Sequence, residues 1–265
     1  MQAAFFDLDK TIIARSSALV FGRPFMKEGL ISRSMIVKGM YAQLVYHLLG
    51  ADEGKMEKMR VALLELTKGW EQDKVSQLVR ETLEEIIDPI IYAEALELIE
   101  EHRAAGRRVY IVSSSAEEIV KPLAEYLGVP HVIATRAKVE DGKYTGELDF
   151  YAYAEGKREA ILAEAERIGI ALTESYAYSD SITDVPMLET VGHPHAVNPD
   201  KELRKTAEER EWPILQFQNP ISLRRRIAER MPPPVPAAAV LAGATALALI
   251  AWVWLRRARP EDRAA

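Results

Sequence analysis

Four acidic residues stand directly behind short apolar runs: Asp7 and Asp9 after AAFF, Asp180 and Asp184 after YAY. A hydroxyl triplet, Ser113-Ser114-Ser115, follows the run VYIV, and Gly156-Lys157 opens a stretch of helical pattern. Gathered carboxylates repel one another unless a hard divalent cation sits between them, and Mg²⁺ takes a few carboxylates together with water and a substrate phosphate. Asp7 and Asp9 are two apart, so in a continuing strand both point the same way. One of the pair is suited to attack phosphorus and the other to move protons. A hydroxyl and a lysine facing them would hold the phosphate and offset its charge in the transition state. Taken singly, these residues also read as a turn, a helix cap, a solvated lysine and loop acids. Their common placement behind apolar strands is what joins them.

The elements that must position them are legible in outline. Residues 3–6 form a buried strand, and helical patterns follow at Ser34–Leu49, Lys55–Thr67 and Lys74–Ile87. After Asp88-Pro89 the texture changes to a helix over 89–105, a strand over 109–112, a helix over 117–127 and a strand over 131–134. A hairpin over 138–150, turned by Asp141-Gly142, comes next, with a helix over 156–168 and a strand over 176–178. A helix opening near Asp184 and strands at 196–197 and 213–217 complete the pattern. Alternation of this kind predicts an α/β fold, a Rossmann-like parallel sheet covered on both faces, with ligands at the carboxyl ends of the strands. The expected domains are a core of 1–14 and 89–220 and a helical cap of 15–88 inserted after the first strand.

The residues resemble the haloacid dehalogenase-like superfamily of phosphohydrolases, in the branch similar to phosphoserine phosphatase. FFDLDKT, VSSS, the lysine of EGKREA and YSDSITDVPML match its four motifs in order, over about residues 3–217. The resemblance implies a phosphatase in which Asp7 becomes the aspartyl-phosphate and Asp9 protonates the leaving alcohol and then activates water. It implies phosphoryl binding by Ser113, Ser114 and Lys157. It also implies Mg²⁺ held by Asp7, Asp180 and the Asp9 backbone carbonyl, with Asp184 completing the site or orienting its waters. Lys10 stands in the middle of DLDKT where many relatives carry a small residue, and Thr183 stands where phosphoserine phosphatases often carry Asn. No acid-plus-Arg pair of the cap is assignable to a serine substrate, so a small phosphomonoester is the expectation and its identity stays open. Two other functions use the same residues: transfer of the phosphoryl group to an acceptor alcohol, and a non-catalytic phosphate-binding scaffold.

Composition bounds the rest. The 265 residues are 48% hydrophobic and 28% charged with no Cys, a globular composition without a thiol nucleophile or a Cys-based metal site. The net charge of −6 argues against nucleic acid as a partner. Residues after 220 carry eight Arg against three acids. A basic, Pro-rich linker is expected over 221–236, a transmembrane helix over 237–255 and a basic tail over 256–265. The nineteen uncharged residues from Ala237 to Leu255 suit the ~30 Å hydrocarbon core at ~1.5 Å per residue. Trp252 and Trp254 suit the interface. The N-terminus lacks a basic region ahead of its short apolar run, which favours a tail anchor with the catalytic domain on the cytoplasmic side. Arg224, Arg225 and Arg226 would meet anionic headgroups. Arg15, past the first motif, reads as a solubility residue, and His193-Pro194-His195 as a structural pair rather than a metal site.

Overall fold

A computed structural model of the chain describes residues 1–31, 61 and 64–220. The expected helix over 34–49, most of the one over 55–67, and the linker, apolar run and tail from 221 onward lie outside the described residues. Among the described residues no helix is long and apolar enough to cross a membrane.

The strands are β1 (Ala3–Phe6), β2 (Arg108–Ala116), β3 (His131–Glu140), β4 (Lys143–Phe150), β5 (Tyr176–Ser179), β6 (His193–Val197) and β7 (Ile214–Leu215). They form one sheet in the order β4-β3-β2-β1-β5-β6-β7. Every pairing is parallel except the β3–β4 hairpin. β1 sits in the middle, and all four of its residues are buried. Its alternating side chains enter opposite cores: Ala4 and Phe6 on one face, Ala3 and Phe5 on the other. A central parallel strand covered on both faces is therefore apolar throughout, as AAFF is.

The helices are α1 (Ser17–Val20), α2 (Gly22–Lys27), α3 (Gln72–Ile87), α4 (Ala93–Ala104), α5 (Glu117–Tyr126), α6 (Glu155–Ile168), α7 (Val185–Leu188) and α8 (Lys201–Glu209). On one face of the sheet Ala95, Leu96 and Ile99 of α4 pack with Ile119, Val120 and Leu123 of α5. On the other face are Ile161 and Ala165 of α6, Met187 and Leu188 of α7, and Leu203 and Ala207 of α8. Of the insertion between β1 and α4, α1, α2 and α3 are described. α3 buries Val75, Leu78, Val79, Leu83 and Ile87, a helical stripe, and packs on α5.

Several boundaries differ from the sequence reading: β3 runs on to Glu140, β6 starts at His193 rather than Ala196, and α8 has no counterpart in that reading. α4 starts at Ala93 rather than near Pro89, because Asp88–Ile90 forms a 3-10 turn and the next two residues are extended. Those residues tie the two chain crossings of the insertion together: Ala14 N donates to the Ile90 carbonyl at 2.8 Å, and Tyr92 N to the Ile12 carbonyl at 2.9 Å. β2 does not stop at Val112 but runs to Ala116 through a shift of register between Ser113 and Ala116. β7 is confined to two residues, since Asn198 takes the next stretch by bonding the Phe217 backbone through both ends of its amide, at 2.9 and 3.0 Å. His193 and His195 lie on β6 and stack against Tyr176 and Tyr178, the structural role expected for them.

Candidate active site

Asp7 is the first residue past β1. Its N–H donates to the Tyr178 carbonyl at 2.9 Å, so the β1–β5 ladder carries on one step and holds the Asp7 backbone beside Asp180 on the neighbouring strand end. Lys157 reaches the same edge from the first turn of α6, and its side chain is only 2% exposed. Gly156 makes that approach possible, because a Cβ there would collide with the Tyr151 carbonyl. Two non-glycine residues in the left-handed region flank the site, Lys10 at φ 60° beside Asp9 and Ala154 at φ 46° ahead of Lys157. Such backbone costs of order 1–3 kcal/mol and persists where surrounding structure enforces it.

The ammonium of Lys157 donates to Asp7 Oδ1 and to Asp184 Oδ2, each at 2.7 Å. Asp184 Oδ2 also accepts from the Ser179 hydroxyl at 2.6 Å. Asp180 is buried, and its cationic neighbour is Lys10, whose Nζ is 3.9 Å from Asp180 Oδ2. Asp9 turns elsewhere. Its Oδ1 accepts the Ser17 N–H at 2.9 Å, and its Oδ2 accepts from the hydroxyls of Ser17, Ser16 and Ser115 at 3.2, 3.4 and 3.4 Å. Ser113 is buried, with its hydroxyl oxygen accepting the Ser115 N–H at 3.2 Å, whereas Ser114 is exposed and its carbonyl is held by Thr135.

The electrostatics follow from burial. Loss of water pushes the Asp7 carboxyl up to about 7 against the opposing charge of Lys157, and Asp184 and Asp9 push the same way as burial. Burial and then the Asp7 charge push Asp180 up to about 8. Asp9 is raised by burial, which outweighs its hydrogen bonds from Ser17. Lys157 is raised, since Asp184 and Asp7 together outweigh the cost of burying its charge. Four carboxylates thus face two ammonium groups at this edge, Lys157 and the half-exposed Lys10. A divalent cation would supply the missing charge, and the donor chemistry of Asp7 and Asp180 suits a hard cation. Among the described residues no group of three or more His, Asp or Glu side chains is arranged to hold a metal ion by itself. The Asp9 carboxylate is committed to the Ser17 N–H and to hydroxyls, Asp184 Oδ2 to Lys157 and Ser179, and Asp7 Oδ1 to Lys157, which leaves Asp7 Oδ2 and the Asp180 carboxylate as the oxygens least committed to protein partners.

A family model described as haloacid dehalogenase-like hydrolase matches residues 4–189. The chain belongs to this family. Among haloacid dehalogenase-like hydrolases it falls in the phosphoserine phosphatase-like branch. A Mycobacterium tuberculosis protein named as a probable phosphatase is 51% identical over 94% of this chain and 85% of its own. A phosphoserine phosphatase of the same organism is 35% identical over 82% of this chain and 71% of its own. A histidinol-phosphatase of Neisseria meningitidis is 31% identical over 81% and 98%. A solved structure from Bordetella pertussis, of a protein described as of unknown function, superposes with a TM-score of 0.71 at 28% identity, covering 81% of this chain and 97% of its own.

The sequence placed Asp7, Asp9, Ser113, Lys157, Asp180 and Asp184 at one sheet edge, and the structure brings Asp7 and Asp184 each into direct contact with Lys157 there, while Asp9 turns to Ser16, Ser17 and Ser115. It also adds residues to which the sequence reading gave no role: Ser16 and Ser17, outside every motif, and Ser179, inside the fourth. Ser115 was visible only as the third member of a triplet. Nothing local in the sequence links any of them to a carboxylate on another element.

Proposed function

We propose that the protein is a Mg²⁺-dependent phosphomonoesterase acting through an aspartyl-phosphate on Asp7. The observation that carries this reading is the buried Asp7–Lys157–Asp184 contact, a nucleophile-type carboxylate held by a fixed cation at the carboxyl edge of a parallel sheet. An Asp7 carboxylate oxygen attacks phosphorus, the Asp7 O–P bond forms, and the ester P–O bond breaks. The departing alkoxide takes a proton from Asp9. Asp9, now a carboxylate, takes a proton from a water whose oxygen attacks the aspartyl-phosphate, releasing inorganic phosphate and restoring Asp7. Ser113 and Lys157 bind the phosphoryl oxygens, with the Ser114 backbone beside them. Asp184 holds Lys157 in place. Mg²⁺, on Asp7, Asp180 and the Asp9 carbonyl, supplies charge stabilisation at the phosphoryl group when bound.

The insertion gates the site and selects the substrate. Two relatives are named for phosphate esters of primary alcohols that carry an amine, so both of those compounds belong in a test panel. The last 29 residues of the chain, from Ala237, form a membrane anchor and its tail, with the catalytic body on the cytoplasmic side. The body ends beside the insertion's hinge: Ala93 N donates to the Asn219 carbonyl at 2.9 Å, and Glu94 Oε1 accepts from Asn219 Nδ2 at 2.7 Å.

Phosphate release by the full chain from a panel of phosphomonoesters, with Mg²⁺ and with EDTA, tests the reading. Release that needs the metal and disappears in Asp7→Asn is expected. Equal turnover by Asp7→Asn and the wild type would refute the assignment of the nucleophile, and formation of a new phosphate ester with added alcohol would identify a transferase.

A further inference from the structure

The groups that hold Asp9 by hydrogen bonds are all uncharged, one backbone N–H and three hydroxyls. Ser17 contributes its N–H and its hydroxyl, Ser16 a hydroxyl, and Ser115 a hydroxyl. Ser17 Oγ and Ser115 Oγ are themselves 2.8 Å apart. Ser17 is buried and begins α1 of the insertion, whereas Ser115 belongs to the shifted stretch at the end of β2 in the core. The carboxylate is therefore gripped from the insertion and from the core, and the two grips touch each other. Without the register shift, side chains along β2 would simply alternate across the sheet; such irregularities re-aim a side chain next to a site.

From this we infer that Ser17 and Ser115 are positioning residues for Asp9, an inference that rests on the phosphomonoesterase reading above. Each hydroxyl reaches Asp9 Oδ2 from a different part of the chain, one from the insertion and one from the core, so their joint contact fixes the direction in which the carboxyl faces. The linkage also ties the acid–base group to the seat of α1, so that Asp9 is correctly aimed when the first helix of the insertion is packed against the core.

The test uses the ratio of two substrates. The value of kcat/KM covers the steps through departure of the alcohol. An alkyl phosphate needs a proton from Asp9 at that point, and p-nitrophenyl phosphate, with its good leaving group, needs it far less. Ser115→Ala and Ser17→Ala in the full chain are expected to lower kcat/KM for the best alkyl phosphate about tenfold, the scale of one hydrogen bond to a charged group. The ratio of alkyl to aryl kcat/KM should fall at least fivefold, with Ser17→Thr restoring most of it. Equal losses on both substrates, or no loss on either, would overturn the inference. If the buried Ser17→Ala fails to fold, Ser115→Ala carries the test alone. Asp7→Asn run beside them separates the two ideas: turnover that survives in that variant defeats the phosphomonoesterase reading itself.

Discussion

Lys157 Nζ lies 2.7 Å from Asp184 Oδ2, the same distance that separates it from Asp7 Oδ1. One buried cation thus serves two buried anions that belong to different strand ends. Breaking such a contact from the cation side leaves two carboxylates without their partner, and losses of about 3–5 kcal/mol are typical of that situation. Lys157→Met, close in shape, is expected to lower the unfolding free energy by about 3 kcal/mol and phosphatase activity by roughly a thousandfold. Urea unfolding and phosphate release measure the two effects separately. A stable but inactive variant would mean that the lysine serves the phosphate more than the fold.

The approach of α6 to the site depends on the absence of a side chain at Gly156. Gly156→Ala forces the Tyr151 carbonyl or the start of α6 to move, at a cost of roughly 1–3 kcal/mol. Because Lys157 is the next residue, activity should fall further than stability explains. Glu159→Ala, an exposed change on the same helix, is the control. Loss of activity beyond the unfolded fraction, seen in the first variant and absent in the second, is the expected outcome.

Lys10 sits half exposed, with its ammonium 3.9 Å from Asp180 Oδ2. It offers that carboxylate a charge of the same sign as a bound cation would, though weakly because water screens it. Lys10→Ala should therefore lower the Mg²⁺ concentration that gives half-maximal activity by roughly two- to threefold. A rise instead would show that Lys10 contacts the substrate.

A pH effect on stability originates on the face of the sheet that carries α4. The buried His102 ring is bonded to the Tyr178 hydroxyl through Nε2 at 2.8 Å, and Arg107 donates to its Nδ1 at 3.2 Å. Burial first, then the charges of Arg107 and His195, depress it from 6.5 to about 4. As pH falls below 6.5 the unfolded chain takes up a proton here and the folded chain does not. Proton uptake then favours unfolding, so this contribution to stability is intact above about 6.5 and is lost progressively toward about 4. Urea unfolding between pH 7.5 and 4.5 should show a steeper loss in the wild type than in His102→Gln. Parallel slopes would mean that the folded-state ring titrates normally.

The alternation of strands and helices in a parallel sheet, and the acids that follow the strands, were legible in the sequence because each depends on local information. A central strand buried on both faces must be apolar throughout, which AAFF reports, and ligand-bearing residues follow strands directly in this kind of sheet. Boundaries set by contacts between distant segments were not legible. α4 begins late because the residues before it pair with Ile12 and Ala14, far away in the chain. β2 runs on past Val112 because its end pairs, out of step, with β3.

The division within the active site is the same. Residue type and position after a strand were enough to put Asp7, Asp9, Asp180 and Asp184 at one edge with Lys157, which read as a holder of phosphate and not as a partner of the acids. Which acid Lys157 would hold, and what would hold Asp9, depended on packing between elements far apart in sequence. Ser17 and Ser115 are 98 residues apart, and Lys157 and Asp7 are 150 apart. Periodicity reports which face of its own element a side chain occupies. Partners across a cleft are decided only when the sheet, the helices over it and the insertion have packed.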